Sequence, residues 1–115
     1  MRDDKENVII NLTFNFSIGI INYCDELEVQ RKYVLARQLL KSGTSIGANT
    51  REAQNAESKA DFIHKFKIAA KEADESEYWL LLCKASRNYP NPDHLIKELN
   101  VIIKIISKIV SSSKA

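Results

Sequence analysis

The side chains best placed for chemistry are polar residues set at helical spacing. Ser42, Ser45, Asn49 and Glu52 recur three, four and three apart, the rhythm of a helix seam, and Glu75, Glu72 and Lys65 recur to match on a later segment. If the two segments fold back on each other near Glu57 and Ser58, facing positions sum to about 117. That sets Ser42 by Glu75, Ser45 by Glu72 and Glu52 by Lys65. Paired carboxylates in a cleft are the equipment of general acid–base catalysis. The same groups between helices hold register instead, because each half-buried carboxylate demands a donor and rejects alignments that withhold one. No nucleophile, metal-ligand set or phosphate loop accompanies them, so the register reading is preferred and no catalytic residue is expected.

Other reactive types are sparse. Cys24 and Cys83 lie far apart with no C-x-x-C and no neighbouring histidine, which fits reduced core thiols better than a zinc site or a disulfide framework. The histidines are His64 and His94; Asp61-x-x-His64 is half of one carboxylate–histidine pair, whereas a di-iron bundle needs two such pairs and further carboxylates. No metal and no cofactor is expected. Gly43 and Gly47 suggest a phosphate loop only superficially, since no Gly-Lys-Ser/Thr ending and no preceding strand accompany them. Tyr78 and Trp79 are read as core anchors.

Charge is distributed unevenly. Residues 1–30 carry net −4 and residues 52–115 net +1, while residues 31–51 carry +5 from Arg31, Lys32, Arg37, Lys41 and Arg51 with no acid. Such a block is either an ordinary solvated face or a contact surface for phosphate or an acidic partner. The acidic start Met1-Arg2-Asp3-Asp4-Lys5-Glu6 is unlike a signal peptide, and no apolar run approaches the ~20 residues of a membrane span, so a cytoplasmic location is expected.

The elements that must position these groups are helices. In 115 residues there are three Gly and two Pro, with almost no strict alternation and no hairpin dipeptide, so the expected class is all-α with one domain over 1–115. Four helices are predicted over about 11–29, 32–57, 59–88 and 92–112. The first carries Phe14, Ile18, Ile21 and Cys24 on one stripe, with Ile20 and Leu27 beside it, and no Gly or Pro marks its end. The second runs through Gly43 and Gly47, which is favoured over a break there because the flanking pattern is continuous; a neighbouring helix approaching the two glycines would offset their cost. Ser58-Lys59-Ala60-Asp61 is a capping-box variant opening the third helix, and Asn91-Pro92 opens the fourth. On that last helix Val101, Ile105 and Ile109 form a second apolar stripe, the candidate subunit interface.

Several ordered blocks resemble one family. They are Gln38-Leu39-Leu40-Lys41-Ser42-Gly43-Thr44-Ser45-Ile46-Gly47-Ala48-Asn49, Arg51-Glu52-Ala53, Ser58-Lys59-Ala60-Asp61-Phe62, Ile68-Ala69-Ala70-Lys71-Glu72-Ala73 and Glu75-Ser76-Glu77-Tyr78-Trp79-Leu80. Across about residues 14–90 the chain is similar to the bacterial four-helix-bundle proteins named for open reading frames in 23S rRNA intervening sequences, the S23 ribosomal protein family. The resemblance implies an antiparallel up-down four-helix bundle assembling into a ring-shaped homopentamer. Relatives include the accessory variability protein of diversity-generating retroelements, which is strongly basic and works with a reverse transcriptase and RNA. In this family Ser42, Ser45, Asn49, Glu52, Glu72 and Glu75 are implied to be structural.

The function expected is a non-enzymatic oligomer that binds structured RNA or a ribonucleoprotein, such as the ribosome, through Arg31, Lys32, Arg37, Lys41 and Arg51. The alternative is a protein-interaction scaffold without nucleic-acid binding, for example an accessory subunit of a reverse transcriptase. Neither reading requires a membrane or a small-molecule substrate.

Overall fold

Four long helices make up the computed structural model, which describes residues 4–114: α1 (Asp4–Val29), α2 (Tyr33–Ala53), α3 (Lys59–Ala85) and α4 (Asp93–Lys114). No strand occurs among the described residues. Each helix packs on two others, α1 and α3 each lying against both α2 and α4, in a body 46 × 20 × 19 Å. The core between them is formed by large apolar side chains with no exposure, among them Phe16, Ile20, Leu39, Ile46, Phe66, Leu80, Leu95 and Leu99.

The predicted through-going second helix is observed, and its glycines are where α1 comes close. A Cβ on Gly43 would stand 2.9 Å from Ile20 Cγ1 and Cγ2, and one on Gly47 would stand 3.3 Å from the Thr13 carbonyl oxygen. Higher numbers on α2 thus meet lower numbers on α1. The helix ends four residues earlier than predicted, because Gln54, Asn55 and Ala56 donate to the carbonyls three residues back and tighten the chain out of the α-helix. Ser58 then accepts from the Asp61 N–H at 3.0 Å while the Asp61 carboxylate accepts from the Glu57 N–H at 3.2 Å, the reciprocal cap expected for α3.

Two apolar stripes face differently from the prediction. On α1 the buried stripe is Ile9, Thr13, Phe16, Ile20, Tyr23, Cys24 and Leu27, whereas Phe14, Ile18 and Ile21 are 58%, 45% and 44% exposed. Residues 8–24 contain no charged side chain, so helical periodicity alone gives no preference between the two faces. The close approach of Gly43 and Gly47 decides it. On α4, Val101 is exposed, Ile105 half-buried and Ile109 buried in the protomer's own core. A four-residue step overshoots one helical turn by about 40°, so three such residues sweep from the surface inward instead of forming one outer stripe.

Candidate nucleic-acid interface

The polar seam between α2 and α3 has the predicted register and a different chemistry. Lys65 Nζ donates to Glu52 Oε1 at 2.9 Å, as the pairing sum requires. About three turns along each helix, however, the partner of Ser42 is Ser76, the two hydroxyls hydrogen-bonded at 2.8 Å. Glu75 is rotated one residue outward: it is exposed, and its carboxylate accepts from Trp79 Nε1 at 3.0 Å. Ser45 donates to the Lys41 carbonyl at 2.6 Å and Asn49 Nδ2 to the Ser45 carbonyl at 2.9 Å, both within α2. No pairing of Ser45 with Glu72 is formed; Glu72 contributes its main-chain carbonyl to Ser76 instead. The seam therefore presents hydroxyls, not a carboxylate pair, and every buried side-chain polar atom among the described residues has a partner.

The remaining reactive types do not converge. Cys24 and Cys83 are buried free thiols, and among the described residues no group of three or more His, Cys, Asp or Glu is placed to hold a metal. Tyr23 stands between the thiols and the α3–α4 connection, donating its hydroxyl to the Pro90 carbonyl at 2.5 Å. Burial raises all three groups above their ordinary values, Cys24 to about 12.

The five basic candidates separate into two groups. Arg37, Lys41 and Arg51 are exposed on the outer side of α2, within an arc of about 80° and along about 21 Å of helix axis. Among the described residues none of the three makes an ion pair, and the one acid of α2, Glu52, is engaged by Lys65. Arg31 and Lys32 lie apart from them, in the corner joining α1 to α2. Arg31 adopts a left-handed backbone (φ 64°), and Lys32 Nζ sits 4.3 Å from the centre of the Tyr89 ring. These two border a groove of about 550 Å3 that also meets Tyr33, Gln38, Trp79 and Tyr89. Trp79 is half-buried against the core as expected, but its neighbour Tyr78 is 58% exposed and packs edge-on to it at 5.3 Å, which corrects the reading of Tyr78 as a core anchor. The groove's aromatic rings come from three separate segments, and no spacing in the chain signals that they meet.

A family model described as 23S rRNA-intervening sequence protein matches residues 5–111. The chain belongs to this family. It is also similar to the crystal structure of a protein of unknown function from the S23 ribosomal protein family of Bacteroides thetaiotaomicron, with a TM-score of 0.87 and 39% identity over 93% of this chain and 98% of that one. Among curated proteins none matches. In this member of the intervening-sequence protein family, the segment that carries the resemblance, residues 38–49, is the stretch of α2 whose glycines admit α1 and whose Ser42 meets α3. Its motif residues thus build the bundle. Lys41, on the same segment, points to solvent.

No helix among the described residues is long and apolar enough to cross a membrane.

Proposed function

We propose that this family member is a non-enzymatic RNA-binding bundle whose outer α2 face engages phosphates of structured RNA. The observation that carries the reading is the row Arg37, Lys41 and Arg51: three exposed cations on one side of a helix whose single acid, Glu52, is paired with Lys65. Phosphate contacts of this kind give affinity without base readout. Three phosphates per protomer correspond to a slope of log K against log salt of about −2 on single strands and about −3 on duplex. The close approaches of α1 to α2, and the pairings Glu52–Lys65 and Ser42–Ser76, support an antiparallel up-down order. A cytoplasmic location goes with the two free thiols.

The test is fluorescence anisotropy with a structured ribosomal RNA fragment across a salt series. Wild type is expected to bind with that slope, and Arg37→Glu combined with Lys41→Glu to lose at least tenfold in affinity at unchanged oligomer mass. Unchanged affinity in the charge-reversed protein removes α2 from the interface.

A second reading, a ring-shaped homo-oligomer, the pentamer implied by the family resemblance, is favoured by a separate observation. The outer side of α1 exposes Phe14, Ile18 and Ile21 in a stretch with no charge, a surface that suits a second copy of the chain. Val101 and Ile105 on α4 remain interface candidates; Ile109, being in the core, does not. Self-association would repeat the basic face around the ring and add avidity. Light scattering of Ile18→Asp and of Ile105→Asp separates the two surfaces: the variant whose mass falls to that of one protomer identifies the contact. If the oligomer forms and no RNA binds, the protein is a scaffold for another protein, such as a reverse transcriptase.

A further inference from the structure

The corner groove at the α1–α2 connection is chemically unlike the outer α2 face. It combines Arg31 and Lys32 with the rings of Tyr33, Trp79 and Tyr89 and the Gln38 side-chain amide in about 550 Å3 of open space. A ligand that uses all of these carries a negative group and a flat π surface, and has donors and acceptors on its edge.

The groove's aromatic groups are held in place from behind. The Tyr23 hydroxyl bonds the Pro90 carbonyl, which anchors the connection carrying Tyr89, and Lys32 lies over the Tyr89 ring. The Trp79 indole N–H is held by Glu75 and one ring edge meets Tyr78. Aromatic side chains already oriented lose little on stacking with a base. On the cationic side, Lys32 stands at the α2 N-cap with no side-chain cap bond, and the first turn of α2 has no acid. The main-chain N–H groups there add to the field of Arg31 and Lys32. Gln38 supplies both a donor and an acceptor, the pattern that a base edge matches.

We propose that this groove binds one unpaired nucleotide of an RNA strand, its base stacked on Trp79 and its phosphate between Arg31 and Lys32. The proposal rests on the RNA-binding reading for the origin of the ligand, and it adds a single-strand subsite to the phosphate contacts of α2. A free nucleotide would present the same chemistry.

Trp79 is the chain's one tryptophan, so its emission reports the site directly. Octaadenylate, AMP, inorganic phosphate and a short polyglutamate peptide are titrated into the full chain. Saturable quenching by octaadenylate is expected, with phosphate and polyglutamate inert. AMP quenching as tightly as the octamer would identify a free nucleotide as the ligand and overturn the strand assignment. Lys32→Glu and Tyr33→Ala, each checked for an unchanged circular dichroism melt, should each weaken quenching at least tenfold. Arg37→Glu with Lys41→Glu should weaken the long RNA more than it weakens octamer quenching. No quenching at millimolar octamer, in a protein that still binds ribosomal RNA, overturns the groove and leaves the α2 reading standing. Octamer quenching in a protein whose long-RNA affinity ignores the α2 charges overturns that reading and leaves the groove. Equal quenching by polyglutamate assigns the groove to an acidic peptide and overturns the nucleotide.

Discussion

The hydroxyls of Ser42 and Ser76 meet 2.8 Å apart in the buried seam between α2 and α3. The Ser76 hydroxyl is also 2.8 Å from the Glu72 carbonyl, while Ser42 has only a longer bond, 3.4 Å to the Leu39 carbonyl, as its other partner. The two residues are therefore unequal. Ser42→Ala leaves Ser76 satisfied within its own helix, whereas Ser76→Ala leaves Ser42 with its weak bond. Each single change is expected to cost about 1 kcal/mol, with Ser76→Ala the larger, and the double variant less than their sum. Urea denaturation of the four proteins in a double-mutant cycle measures this; strict additivity would mean that the contact contributes nothing.

Gly43 is a second contact on which register depends. Alanine in a helix interior ordinarily gains up to ~1 kcal/mol over glycine. At Gly43 its Cβ would meet Ile20 at Cγ1 and Cγ2, atoms next to the branch point that cannot swing away. Gly43→Ala is expected to lower stability by about 1–3 kcal/mol. At Gly19 the obstructing atom is Leu95 Cδ2, the far end of a side chain able to change rotamer. Gly19→Ala should be close to neutral, and thermal melts of the two variants side by side test whether the α1–α2 approach is as close as the geometry requires.

What the chain discloses by inspection follows from where charge breaks the pattern. Glu52 and Lys65 are far enough from the turn, and distinctive enough, that their pairing sum aligns α2 with α3 to within one residue. That one residue decides the chemistry, because a 100° rotation exchanges exposed Glu75 for buried Ser76. Ser58 and Asp61 declare the start of α3 because capping chemistry is local. The orientation of α1 is not local. With no charge over residues 8–24, the choice between Phe14 and Phe16 as core residue depends on the two glycines of a different helix. The basic row of α2 is legible from composition, whereas the corner groove is not, since Tyr33, Trp79 and Tyr89 come together only through the fold.

The buried thiols give the protein an alkaline limit. Burial is the main cause that pushes Cys24 from 9.0 up to about 12, with Cys83, Asp25 and Glu28 adding to it. Cys83 is raised by burial too, against a hydrogen bond from Tyr23 that lowers it, and Tyr23 is raised chiefly by burial. A group whose pKa is higher folded than unfolded loses its proton first in the unfolded chain. Its stabilising effect is complete below the unfolded value and is lost as pH rises toward the folded one. The urea midpoint should hold steady from pH 6 to 8 and fall between about pH 9 and 11. Cys24→Ala should flatten that fall. A midpoint that is level to pH 11 would contradict the burial of these groups.

Arg31 occupies a position that favours glycine. Its N–H donates to the Glu28 carbonyl at 2.9 Å and the Lys32 N–H to the Leu27 carbonyl at 2.8 Å, the two bonds that close a helix around a left-handed residue. A side chain there costs about 1–2 kcal/mol. This is why α1 ends without the usual glycine signal. Arg31→Gly is expected to raise the melting temperature by a few degrees, because it removes the strain and keeps both bonds. Arg31→Ala keeps the strain and removes only the guanidinium, so its melting temperature should stay near wild type. If the arginine is held there for its charge, octaadenylate binding falls in both variants while stability rises in one. Binding that survives in both would leave the strained arginine without a role in the groove, and Lys32 as its phosphate contact.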